Sequence, residues 1–333
     1  MLVRKKSQIS VASWIFTTPL QIISVRRKVL TGLVAKACAS TAISLAIHGT
    51  VCDGLFQFGN PEQHQKYLKP LVSGEKLAAF ALTESDAGSD ARAMKTTAVL
   101  KDGEWHVNGA KMYITNAGKA DFYFVFAKTT KGHAALIVPK DVKGFSQGAN
   151  ISKMGLRGSS LTGLNFDDVI VPLENLVGMD GEGFEYAKKM LTSGRITIAA
   201  LSVGIAQMAL EKTIRYSKER KAFGHLISDF EITRSKVADM QTEIDAGRLA
   251  VYYAGFLKNA KQDYSIEACE AKLFATEMAL RVCNEAIQIH GGYGYTNEAD
   301  VHRHWRDAKL MTIGEGTSEI MKVIISNSAL GQS

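Results

Sequence analysis

The chain has few of the residues that stiffen or cross-link a protein. Five prolines and four cysteines are spread over 333 residues. Cys38, Cys52, Cys269 and Cys283 form no CxxC pair. That spacing gives no zinc or disulfide framework and suits a reducing compartment. GxGxxG, Walker and HExxH motifs are all missing, and with them the sequence signatures of a Rossmann dinucleotide site, a P-loop and a zincin. His302 and His304 sit two apart on a predicted helix, point in different directions, and are not read as metal ligands. No low-complexity tract or internal repeat is visible. Acid is missing from the start of the chain, where the first carboxylate is Asp53. Residues 1–30 hold Arg4, Lys5, Lys6, Arg26, Arg27 and Lys28; without these six, the 40 Lys and Arg fall to 34 against 33 Asp and Glu. The net charge of +7 is therefore an N-terminal property, and the nearly neutral remainder offers no basic face for nucleic acid. The acid-free start, with its Ser and Thr, has the composition of a transit peptide. Its stretch Ser7–Val25 is too mixed to span a membrane.

What is present is a soluble, enzyme-sized chain, 46% hydrophobic and 22% charged, long enough for two or three domains. Residues 33–59 read as a helix rich in small residues. A second short helix covers 61–74, with Pro61 in its first turn. The apolar period then becomes alternating, which predicts strands over 77–85, 96–100, 104–109, 111–117, 122–130, 133–140 and 164–172. Asp102-Gly103 and Asn108-Gly109 read as turns between them. From Gly183 the helical period returns. One very long helix is predicted to run to Phe223. A second carries Val237, Met240, Ile244 and Val251 on one face. A third starts at Ser265, as N-cap, and stops before Gly291-Gly292. A fourth spans Ala299 to Met311, and a fifth begins near Thr317. The expected class is α+β, with an N-terminal helical part (1–76), a middle β-domain (77–183) and a C-terminal antiparallel helix bundle (184–333).

Five short stretches carry groups suited to chemistry. "LTESDAGSD" (82–90) is a loop of small residues whose bare N–H groups, with Thr83 and Ser89, suit a phosphate or a heteroaromatic ring. "MYITNAG" (112–118) puts Tyr113 and Thr115 on one face of a strand, able to stack on a ring and hydrogen-bond to it. "RKAFG" (220–224) offers Arg220 to a pyrophosphate. "QIHGGYGY" (288–295) exposes backbone at a helix end. "TIGEGTSEI" (312–320) sets Glu315 between Gly314 and Gly316, ahead of Thr317 and Ser318. Taken singly, each has an ordinary reading as well: polar loop, strand packing, basic turn, helix terminator, and turn acid before a capped helix.

Taken together and in order, they resemble the acyl-CoA dehydrogenase family from about Leu33 to about Leu330. The motifs are "FALTESDAGSD", "VNGAKMYITNAG", "MGLRGSS", "GRITIAALSVGIAQMAL", "YSKERKAFG", "QIHGGYGY" and "RDAKLMTIGEGTSEI"; the wording is most similar to short-chain, butyryl-CoA-type members. The resemblance implies FAD. Phe80, Leu82, Thr83, Gly88, Ser89, Tyr113, Ile114 and Thr115 would hold the flavin. Arg220, Phe223, Glu231 and the turn Gln288, Ile289, His290, Gly291, Gly292 would serve the FAD of a neighbouring subunit in a homotetramer or dimer of dimers. Thr317, Ser318 and Glu319 would close over the cofactor. Ser89, Thr192, Arg195 and Gly316 would face the acyl-CoA substrate. Glu315 would take the α-proton while hydride passes from the β-carbon to flavin N5, giving a trans-2-enoyl-CoA. Electrons would go on to an electron-transfer flavoprotein. No metal, nucleic acid or integral membrane segment is implied. The location would be cytoplasmic in a bacterium and the mitochondrial matrix in a eukaryote.

The chain departs from the family pattern in several places. Gly314 stands where tyrosine is usual, which enlarges the acyl pocket. Glu231 stands for glutamine, Thr192 for an aspartate before the Gly-Arg pair, and Tyr113 for tryptophan. Residues 1–32 read as unlike the family, so a truncated or frame-disrupted N-terminal domain is expected. The alternatives are a weakly active or inactive truncated member, or an oxygen-using acyl-CoA oxidase.

Overall fold

The computed structural model describes residues 30–332. The basic segment read above as targeting-like falls almost wholly outside the described residues.

The helix expected over 33–59 is two pieces. Residues 30–37 are helical, Cys38 is extended (φ −152°, ψ 104°), and α1 runs Ala39–Phe58. Asn60 then starts α2 with a reciprocal cap: its Oδ1 accepts from Gln63 N (2.8 Å), and Gln63 Oε1 accepts from Asn60 N (3.2 Å). Pro61 occupies the first turn as expected. Helix α2 continues as Pro61–Gln63, a π-helical His64–Leu68 and Lys69–Val72. The wide turn lies just before Pro70, whose ring would clash with the carbonyl four residues back in a regular helix.

Seven strands form the middle layer: β1 Ala78–Ala81, β2 Thr97–Lys101, β3 Glu104–Thr115, β4 Phe122–Thr129, β5 Gly132–Pro139, β6 Phe145–Gln147 and β7 Leu161–Pro172. Their order is β1-β4-β2-β3-β7-β6, with β5 also on β4. β1 and β2 pair parallel with β4; the other pairs are antiparallel. β4 and β5 are solid hydrophobic runs because both their faces are covered. Phe124, Phe126, Ala135 and Ile137 pack towards α1, α2 and the start of the long helix; Tyr123, Val125, Ala134, Leu136 and Val138 pack into the sheet's second core.

Asp102-Gly103 is a turn, with φ of 50° and 83°. Asn108-Gly109 is not. β3 continues through it as one 12-residue strand, with register shifts against β7 after Val107 and after Lys111. Gly109 has φ 137°, and a Cβ there would come 2.7 Å from the Thr96 backbone. The glycine marks a bulge and a close approach rather than a chain reversal.

The bundle comprises α3 Gly183–Ser217, α4 Glu231–Asn259, α5 Ser265–Gly294, α6 Val301–Met311 and α7 Ser318–Ala329. α3 is apolar on most sides because it packs against α1, α4, α5 and α6. It is long and apolar enough to cross a membrane, yet 83% of its most apolar window is buried inside the fold. It ends at Ser217, earlier than predicted. "RKAFG" instead belongs to a small hairpin, Lys221–Ala222 against His225–Leu226, turned by Phe223 (φ 53°) and Gly224 (φ 83°). Ser265 is the first helical residue of α5 and not its cap: Asp263 Oδ1 accepts from Ser265 N (3.0 Å) and Oγ (2.7 Å). Gly291, at φ 61° and ψ −145°, breaks α5 where the sequence predicts.

Two polar ties lock the layers. His48 of α1 accepts from Ala78 N at Nδ1 (3.2 Å) and donates from Nε2 to Leu71 O (3.1 Å), joining both N-terminal helices to β1. Asp307 of α6 accepts from Leu156 N (2.6 Å), joining the loop before β7 to the bundle.

Candidate active site

Glu315 lies in the turn between α6 and α7. It is one of eight described non-glycine residues with positive φ. Four of these are Asp, Asn or Lys, three in turns and Asp168 within β7; the bulky remainder are Tyr113 (58°), Leu156 (51°), Phe223 (53°) and Glu315 (53°). Three of those four belong to the predicted site. Left-handed backbone in such residues costs on the order of 1–3 kcal/mol each, and it persists where the surroundings enforce it. At Glu315 the enforcement is visible. Gly316 follows at φ 96°, and a Cβ there would meet Met321 Cε at 2.7 Å. Thr317 accepts from Ile320 N at Oγ1 (3.3 Å) and caps α7. Ser318 is buried and donates to Glu277 Oε1 (2.5 Å). Glu319 is exposed, and hydrogen bonds from its own backbone N–H and the Thr317 hydroxyl hold its carboxyl below the usual range.

The Glu315 carboxylate points back onto α3 and lies against bare Gly194, with Oε2 sealed from solvent. Arg195, the next residue of α3, donates from Nη1 to Cys269 Sγ (3.1 Å); its Nε is buried with no hydrogen-bond partner. Thr192, half-buried one turn earlier, donates to Lys188 O (2.9 Å). Beneath the turn, Lys272 of α5 donates to the Gly316 carbonyl. Burial pushes its ammonium down to about 8, and the charge of Glu315 pulls the other way. Sequence reasoning missed Gly194 and Lys272. The lysine did leave a signal, a cation on the otherwise apolar stripe of α5.

A second group lies in the β-domain. Thr83 O accepts from Met112 N (2.8 Å), so the loop after β1 is stitched to β3. Glu84, in the predicted loop but not singled out, is buried. Its carboxylate accepts from Lys95 N (2.6 Å), Thr96 N (3.0 Å) and the fully buried Lys111 Nζ (2.8 Å). Burial opposes its ionisation, but those hydrogen bonds prevail and hold it down at about 2. Lys111 also donates to Leu82 O (3.0 Å). Around this anchor, Gly88 and Ser89 stand exposed, with open space where a Gly88 Cβ would be. Tyr113 is 59% exposed beside half-buried Thr115. Ile114 and Leu82 turn their side chains into the cores, and Phe80 packs on Phe126. These three have backbone, not side chain, to offer a ligand.

The third group sits at the other end of the bundle. From Gly194 to Ser217 is about 35 Å along α3 at about 1.5 Å per residue. There Tyr216 stacks on buried His290 (4.3 Å between centroids), whose Nδ1 donates to Ala286 O (2.7 Å). Arg220, Glu231 and Gln288 are exposed, Ile289 is half-buried, and Phe223 is 94% exposed. Gly291 and Gly292 have open space at their Cβ positions. One chain thus brings Glu315, Thr192, Arg195 and Gly316 together, but keeps the Arg220 and Gln288–Gly292 group apart from them. The donor set fits a flavin dinucleotide: an exposed aromatic and a small-residue loop for a ring, and an uncommitted arginine with open glycine backbone for a pyrophosphate. Among the described residues no three His, Cys, Asp or Glu side chains converge as metal ligands.

Three family models match in chain order: the acyl-CoA dehydrogenase N-terminal domain over residues 26–75, the middle domain over 79–169 and the C-terminal domain over 181–330. The chain belongs to the acyl-CoA dehydrogenase family and is an FAD-dependent oxidoreductase. The first match begins at residue 26, so 26–32, read above as unlike the family, lie within it. A short-chain-specific acyl-CoA dehydrogenase of Clostridium acetobutylicum is 45% identical over 88% of this chain and 79% of its own. The CarC subunit of the caffeyl-CoA reductase–Etf complex of Acetobacterium woodii is 42% identical over 89% of this chain and 80% of its own. The solved structure of butyryl-CoA dehydrogenase from Megasphaera elsdenii superimposes with a TM-score of 0.89, at 41% identity, covering 90% of this chain and 80% of that one.

Proposed function

We propose that this enzyme dehydrogenates a short-chain acyl-CoA to its trans-2-enoyl-CoA, with Glu315 as the base. The observation that carries this reading is the Glu315 turn, a left-handed glutamate seated on Gly194 beside Arg195. The α-hydrogen of a thioester is too weakly acidic for a solvated carboxylate to remove quickly. A carboxylate oxygen already sealed from water needs no desolvation at the moment of reaction. Glu315 takes the α-proton as the C–H bond breaks, and the electron pair becomes the new double bond. The hydride acceptor for the β-carbon would be supplied by FAD, held by the residues named below. Donors at the thioester oxygen, the backbone N–H of Glu315 among them, contribute about 3–4 kcal/mol each. Arg195, with Thr192 and Ser89, binds the CoA portion. Thr83, Ser89, Tyr113 and Thr115 hold the flavin. Arg220, Phe223, Glu231 and Gln288–Gly292 complete the FAD site of a neighbouring chain in a homotetramer, in keeping with their separation from Glu315.

The short-chain preference follows the Clostridium and Megasphaera relatives. An electron-transfer flavoprotein as acceptor follows the Etf complex of the Acetobacterium relative. Location follows the source, cytoplasmic in a bacterium and the mitochondrial matrix in a eukaryote. The test is anaerobic addition of butyryl-CoA to the flavin-loaded enzyme, followed at the flavin absorbance. The wild type should bleach; Glu315→Gln should keep its FAD and stay oxidised. A Glu315→Gln enzyme that bleaches at the wild-type rate overturns the assignment.

A further inference from the structure

Lys272 has no exposed surface. It sits on the stripe of α5 that otherwise buries Cys269, Ala271, Ala275 and Thr276. Packing alone would be served by methionine, which is unbranched, only one atom shorter, and has no charge to desolvate. A buried ammonium persists where carbonyl oxygens and opposite charge replace its water. Both are present: Nζ donates to the Gly316 carbonyl, and Glu315 stabilises the charged form. The groups that face Lys272 come from three elements. Glu315 projects from the turn. Arg195 comes from α3 and disfavours the ammonium. Cys269 and Glu277 of α5 favour it. Two of these are engaged elsewhere, since Cys269 accepts from Arg195 and Glu277 accepts from Ser318. Glu315 is the largest favourable influence on the lysine.

We propose that Lys272 is a positioning residue for the reaction: its ammonium clamps the Gly316 carbonyl, fixes the left-handed Glu315–Gly316 turn, and keeps the Glu315 carboxylate ionised inside a water-poor pocket. This rests on Glu315 being the base. The clamp acts through the backbone and the ionisation effect acts through charge, so the two separate by substitution. Lys272→Met removes both, Lys272→Gln keeps a donor without charge, and Lys272→Arg keeps the charge.

The experiment is the pH dependence of anaerobic flavin reduction by butyryl-CoA, in stopped flow, with FAD content measured in parallel. Loss of the cation raises the pH at which the base becomes ionised. The acid limb of the rate profile should move to higher pH by on the order of one unit in the Met and Gln variants. That is about a tenfold loss at pH values below the limb. Lys272→Arg should restore the limb. A uniform loss across pH, with the limb unmoved in both uncharged variants, makes Lys272 a structural residue and overturns the proposal. Failure of both uncharged variants to fold or hold FAD overturns it equally. Glu315→Gln separates the two ideas: normal bleaching in that variant sinks the base assignment, whereas a silent Glu315→Gln with unshifted Lys272 profiles sinks only the lysine's role.

Discussion

Gly194 and Glu315 are in direct apposition: a methyl group built on Gly194 would stand 2.0 Å from Glu315 Oε2 and 2.7 Å from Cδ. The helix needs no glycine at this position for its own geometry, because Gly194 has ordinary negative φ and lies mid-helix. Alanine would favour the helix by about 1 kcal/mol. Gly194→Ala should therefore fold with a melting temperature near that of the wild type, and retain FAD. The carboxylate would be displaced by roughly an ångström, and misplacement on that scale costs about 100-fold in rate. Stopped-flow flavin reduction alongside thermal melting checks this divergence; equal activity in the variant would show that Glu315 is not seated on α3 during turnover.

The Glu84–Lys111 pair gives a prediction about the loop proposed to hold the flavin. The two partners have opposite consequences. Hydrogen bonds hold Glu84 down at about 2, while burial pulls Lys111 down to about 8 despite its partner. The pair is therefore not a large net gain at neutral pH, but breaking it strands a buried cation, at a cost of about 3–5 kcal/mol. Glu84→Gln should unfold at markedly lower denaturant and lose FAD on dilution, because the loop carrying Gly88 and Ser89 is tied to β3 through this pair. The pH sign follows from the depressed carboxyl. Its contribution is complete above the unfolded value of 4.5 and is lost as pH falls from there through about 2. The wild type should lose stability over that acid window and Glu84→Gln should not show the Glu84 share of that loss.

Much of the architecture was legible because hydrophobic period and breakers act locally. The solid runs of β4 and β5, the long apolar α3, Pro61 and the Gly291 break all have short-range causes. The misses are tertiary. Asn108-Gly109 has the chemistry of a turn, but pairing with β7 carries β3 straight through it and makes a bulge of the glycine. Ser265 has the chemistry of a cap, but its own N–H and hydroxyl both donate to Asp263, and it becomes the first residue of the helix instead. At the site, Glu315 stood out through its flanking glycines. Gly194 did not, because nothing local says which glycine faces a side chain about 120 positions away. Lys111 and Lys272 were not singled out, because the partners that let an ammonium be buried, Glu84 and the Gly316 carbonyl, are distant in sequence.

Gly314 leads to a specificity prediction. Its φ is not in the left-handed region, and the nearest atom to a Cβ there is Leu310 O at 3.7 Å, an ordinary contact. A Cβ can therefore be added without moving the backbone. Gly314→Tyr should fold normally and narrow the space proposed for the acyl chain beside Glu315. The ratio of kcat/KM for butyryl-CoA over that for hexanoyl-CoA or a branched acyl-CoA should rise at least tenfold, since each excluded methylene is worth about 1–3 kcal/mol at the transition state. An unchanged ratio across a panel of acyl-CoAs would place the acyl tail elsewhere.

Lys272 makes a prediction about stability that is independent of turnover. Burial lowers its ammonium from 10.5 to about 8 in the folded chain. Below about pH 8 both folded and unfolded states carry the proton, and the folded state bears the full desolvation cost. Between about 8 and 10.5 the unfolded chain holds a proton that the folded chain has released, so stability rises with pH. The rise is about 3 kcal/mol for the whole window. Lys272→Met has no such proton and should be flat in this respect. Lys111, which burial also lowers to about 8, contributes the same rise to both proteins and cancels in their difference. Denaturant midpoints of wild type and Lys272→Met, compared at pH 7.5, 9 and 10.5, should show the wild type gaining on the variant as pH increases. Parallel curves would mean that Lys272 titrates as it does in water, and that its ammonium is not the buried charge beneath the Glu315 turn.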